Sequence, residues 1–132
     1  MKLNQEQQEF FNLGVELYQL YEKEGLKNTD SFYATARMNL YKSLLALAIT
    51  YDVLNENTIV QLRGLGSYVE FLNNLPENHL ARTYFNEMQN LPPRLKMSIE
   101  FDFKITMQHF WNLIKEVLKE HELNKVSKNK PL

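Results

Sequence analysis

At 132 residues, 44% of them hydrophobic, the chain is sized for one domain that buries its own core. Fifteen basic against sixteen acidic side chains leave a formal net charge of −1, which excludes a global field that would steer the protein to nucleic acid or an acidic membrane. The absence of cysteine excludes disulfides and thiol nucleophiles, and makes a reducing compartment the natural setting.

The start, "MKLNQEQQEFF", holds no apolar run of signal-peptide length, so a cytoplasmic protein is expected. Asn4 is placed to cap a first helix, with Gln7 reaching back from the third helical position. Phe10, Leu13, Leu17, Leu20 and Tyr21 then form one stripe until Gly25, which predicts a helix over 5–24. After the turn "GLKNTDS", any of Thr29, Asp30 or Ser31 can cap a second helix. Its positions Tyr33, Leu40, Tyr41, Leu44, Leu47, Ala48 and Tyr51 recur at three and four residues, while Leu45, Ile49 and Val53 widen the stripe beyond one face. The run Leu40–Leu54 is too short for a bilayer span and contains Lys42 and Asp52, so it reads as a core helix and no membrane partner is expected.

The stretch "NENTIVQLRGLGSYVEFLNNLP" has two readings. Thr58, Ile59 and Val60 favour a strand, and two glycines inside a helix cost about 1 kcal/mol each, so a hairpin around "RGLGS" is one of them. Ser67 followed by Glu70 forms a capping box with Gly66 before it, and the preferred reading is two short helices over 57–64 and 67–74. Pro76 fits the first turn of a helix carrying Leu80, Tyr84 and Met88, which "LPP" at 91–93 stops.

The segment "LKMSIEFDFKITM", 95–107, is apolar at every second position. At period two it is a half-buried strand. At period 3.6, Leu95, Ile99, Phe103, Phe110, Leu113 and Val117 form one stripe into a helical "HFWNLIKEVLKEH", and this continuity favours a helix. The helix then carries a second stripe, Met97, Phe101 and Ile105, on its far side. The predicted fold is all-α, a bundle of five or six helices over 1–123 with helices two and five at its centre, followed by a disordered basic tail over 124–132. The alternative is α+β, with a small sheet from 58–72 and 95–107.

No constellation for a reaction is legible. "GLG" at 64–66 lacks the Lys-Ser/Thr of a phosphate loop and the third glycine of a dinucleotide fingerprint. His79, His109 and His121 have no Glu three residues before them, which excludes the di-iron Glu-x-x-His pairs, and H-E-x-x-H is missing. His79 reads as a polar residue in the first turn of its helix, His109 as a boundary residue, and His121 as a last-turn residue that complements the helix dipole. Asp52 and Asp102 are the carboxylates nearest the apolar stripes, and neither has an evident partner. The expectation is a protein that is not an enzyme and carries no cofactor and no metal.

Association is expected instead. The stripe Met97, Phe101 and Ile105 is the candidate interface for a homodimer or another protein, in a regulatory, immunity or accessory role. A second reading is a small-molecule sensor whose bundle pocket is lined by Tyr18, Tyr21, Tyr33, Tyr41 and Tyr51, in a chain 12% aromatic. A third is a DNA-associated regulator with a helix-turn-helix at 57–74. It is weakened by a would-be recognition helix that carries Glu70 and no Lys or Arg, so nucleic acid is not the expected partner.

Overall fold

The structure, a computed structural model, describes residues 2–25, 31–50, 56–62, 64–88 and 92–129; for 23–25, 31–33, 56 and 122–129 it describes the backbone alone. The described residues form α1 (Gln5–Gly25), α2 (Ser31–Thr50), α3 (Glu56–Gln61), α4 (Leu65–Asn73), α5 (Leu80–Met88) and α6 (Pro93–Asn129). No strand occurs among them, so the α+β alternative falls: 95–107 lies within α6, and the hairpin positions fall in α3 and α4. The backbone of α6 continues to Asn129, past the expected boundary at 124.

Local chemistry explains the helix starts. Asn4 Oδ1 accepts from the Gln7 N–H at 2.8 Å while Gln7 Oε1 accepts from the Asn4 N–H at 3.0 Å, the reciprocal cap that the sequence predicts. The start of α4 departs from expectation. It begins at Leu65 after an extended Gly64 with no side-chain cap, so Gly66 and Ser67 lie inside the helix and the Ser67–Glu70 box does not mark its start. Burial decides this. Extending the helix back places Leu65 on one buried stripe with Tyr68 and Leu72, and burying a Leu stabilises by about 1.5–3 kcal/mol, more than the ~1 kcal/mol that helical Gly66 costs.

Helix α5 starts later than Pro76. The His79 N–H donates to the Pro76 carbonyl at 3.0 Å in a turn, and the His79 carbonyl accepts from Arg82 and Thr83 as the helix opens. The buried His79 side chain is the cap, its Nδ1 accepting from the Ala81 N–H at 3.0 Å.

Helix α2 sits at the centre, packed against α1, α5 and α6. Ala36, Leu40, Tyr41 and the consecutive Ser43, Leu44, Leu45, Ala46 and Leu47 are all buried. Its approach to α1 is close. A Cβ added at Gly14 would lie 2.5 Å from Leu45 Cδ2, and the Tyr41 hydroxyl donates to the Gly14 carbonyl at 3.0 Å. Toward α4 and α5, Ser43 Oγ donates to the Ala81 carbonyl at 2.7 Å. Its single proton is thereby used, so the 2.6 Å contact with Tyr68 is donated by the tyrosine hydroxyl. His79 closes the same side. Thr50 Oγ1 donates to the Ala46 carbonyl, which leaves it to accept from His79 Nε2 at 2.9 Å.

Candidate functional site

The alternation in 95–107 resolves into two faces of one helix. Successive residues turn by about 100°, so positions two apart fall on nearly opposite sides and positions four apart share a side. Leu95, Ile99, Phe103 and Met107 are buried, and Phe110, Trp111, Ile114 and Val117 continue that face into the core. Met97, Phe101 and Ile105 point the other way and are 71%, 90% and 77% exposed. These three form an unbroken apolar row over two turns. At such exposures they present on the order of 400–500 Å² of apolar surface, the size of the largest apolar patch on an ordinary monomer, which is often functional.

The flanks of the row differ. On one side lie exposed Glu100 and Lys104, four residues apart. On the other are half-buried Asp102 and His109; in the neighbouring α3, Ile59 is buried while Val60 is 61% exposed. Between α3 and α6 runs an open groove of about 440 Å³, with Ile59, Val60 and Ile105 as apolar walls and Lys104, Gln108, His109 and Asn112 as its polar lining. The His109 ring rests on Tyr21 at 4.2 Å between centroids. Burial, with the Arg37 charge nearby, lowers its pKa against an opposing effect of Glu116. The spacing of apolar residues locates the row, but it misses Val60 and the groove, which require knowing that α3 packs beside α6.

The five candidate pocket tyrosines do not gather. Tyr18 and Tyr41 stack at 4.7 Å, and Phe110 meets both edge-on at 5.7 and 5.2 Å, so aromatic rings fill the space between α1, α2 and α6. Their hydroxyls are held by Glu22 and by the Gly14 carbonyl, and burial pushes both pKa values far up, so each stays a protonated donor. Tyr21 lies apart against His109, and the Tyr33 side chain and Tyr51 lie outside the described residues. A second concavity, about 670 Å³, opens between the start of α1 and α5 over the stacked rings of Phe11 and Tyr84. Its amides bond along α1, Asn4 with Gln7 and Gln8 with Asn12, rather than converging on a point.

Of the remaining candidates, His79 is a buried cap, and its pKa is lowered by burial. His121 is followed by further helix to Asn129 instead of ending it, and its Nε2 meets Glu6 Oε1 at 3.3 Å beside Phe10. Asp102 stands half-buried on α6, and Asp52 lies outside the described residues. Among the described residues no three His, Asp or Glu side chains gather to hold a metal ion, and no helix is long and apolar enough to cross a membrane. The chain matches no protein-family model, no curated protein and no solved structure.

Proposed function

We propose that this protein acts by protein–protein association, as a homodimer formed through the outward row of α6, in a regulatory or accessory role in the cytoplasm. One observation carries the reading: Met97, Phe101 and Ile105 stand wet on successive turns of a helix whose opposite face is core. Leaving three such side chains in water forgoes roughly 1.5–3 kcal/mol apiece. A partner surface recovers that energy. The tyrosine-pocket alternative has less support, because Tyr18, Tyr41 and Phe110 fill the space a ligand would need. The helix-turn-helix alternative has less support because α4 carries Glu70 and no Lys or Arg to meet phosphates.

Light scattering over a range of protein concentrations tests the proposal on the wild type and on Phe101→Glu. The wild type is expected to rise from one to two chain masses, and Phe101→Glu to stay at one while keeping its helical signal. A wild type that stays at one chain mass at every concentration would contradict it, as would a Phe101→Glu chain that unfolds.

A further inference from the structure

We infer that the surface covering this row is the same row of a second copy, laid antiparallel about a two-fold axis at Phe101; this rests on the association reading above and gives it a geometry. The row is symmetric in the way such an axis needs. Met97 and Ile105 stand four residues to either side of Phe101 and are similarly exposed. An antiparallel copy therefore sets Phe101 on Phe101 and Met97 against Ile105, the self-complementary contact of a two-fold dimer.

Charge placement selects the antiparallel direction. With about 100° per residue, Glu100 and Lys104 lie on one flank of Phe101, at roughly 100° and 60° from it. A two-fold axis between antiparallel helices faces each flank to its own equivalent, so Glu100 of each copy comes beside Lys104 of the other, and the attraction is made twice. A parallel copy faces that flank to the opposite one, which carries Ser98 and Asp102. There the attraction of Lys104 for Asp102 is offset by the repulsion between Glu100 and Asp102.

The groove between α3 and α6, lined by Lys104 as well as Ile105, supplies the remaining surface. With the axis at Phe101, Met97 of the second copy lies level with Ile105, at the mouth of the groove walled by Ile59 and Val60. An unbranched, adaptable methionine suits an open apolar groove. The three row residues alone fall short of the ~800 Å² per partner of a standard interface, and the groove walls with the Glu100–Lys104 flank extend the contact toward it.

Two sets of variants test the geometry. Glu100→Lys and Lys104→Glu, each alone, place like charges opposite and are expected to weaken self-association about tenfold. Mixed in equal amounts, they restore opposite charges across the axis and are expected to form a heterodimer at least as tight as the wild type. The cysteine-free chain also allows Met97→Cys and Ile105→Cys to be placed singly. Oxidation is expected to join the two variants to each other when mixed, and neither to itself.

A Met97→Cys chain that cross-links to itself, or charge variants that associate as the wild type does and gain nothing on mixing, would overturn the antiparallel geometry while leaving a dimer in place. A wild type that never associates would remove the association reading and this inference together.

Discussion

Helices α2 and α6 are each too apolar for a single amphipathic face, yet the fold treats the surplus differently. In α2 the run from Ser43 to Leu47 is buried without a break, because α1, α5 and α6 surround it. In α6 the surplus is concentrated in one row directly opposite the core face, and it stays exposed. Apolar residues beyond one face therefore have two meanings. Spread around the helix, they mark a centre; gathered in a second row at spacing four, they stay on the surface.

The largest test of the α2 side is Leu45→Ala. The side chain is fully buried against Gly14, so truncation is expected to cost about 2–5 kcal/mol in urea unfolding. Gly14→Ala is expected to cost about 1–3 kcal/mol through the clash with Leu45. The double variant should lose clearly less than the sum, because the smaller residue at 45 makes room for the added methyl. Strict additivity would show that α1 and α2 do not meet there.

Next in size is Ser43→Ala. It leaves the buried Tyr68 hydroxyl and the Ala81 carbonyl without the partner that joins them, for an expected loss of about 1–3 kcal/mol by thermal or urea unfolding. A loss near zero would mean that this polar link contributes nothing to holding α4 and α5 on α2.

A smaller effect is expected from pH. His79 is held neutral, its Nδ1 accepting from Ala81 and its Nε2 donating to Thr50, and burial lowers its pKa below the ordinary 6.5. As pH falls through 6.5 the unfolded chain takes up the proton first, so stability is full above that value and declines below it. His109, shifted in the same direction, adds to the slope. His79→Asn keeps a capping acceptor that does not titrate, and its melting temperature is expected to fall less steeply than that of the wild type between neutral and mildly acidic pH. Equal slopes would remove His79 from the account.

The α2 core and the α6 row were both legible from spacing, since apolar residues at three and four positions apart report a helix face whatever lies against it. The Asn4–Gln7 cap was legible because it is closed within four residues. The Ser67–Glu70 motif misled, because the gain from burying Leu65 outweighs a local cap. The link from Ser43 to Tyr68 and Ala81 joins residues 25 and 38 positions apart, and no local pattern announces it. For the same reason Val60 could not be assigned to the row: its place beside Ile105 depends on how α3 packs on α6.

The smallest effect expected on the folded monomer comes from Phe101, and it leads to the most direct measurement of whether the row is an interface. A partner that binds only the folded chain makes stability depend on concentration. The urea midpoint of the wild type should therefore rise as protein concentration is raised. That of Phe101→Glu should stay constant, within about 0.5 kcal/mol of the wild type at its most dilute, as expected for a change on an exposed surface. A wild-type midpoint that does not move with concentration, or a Phe101→Glu chain destabilised by several kcal/mol at every concentration, would contradict the account.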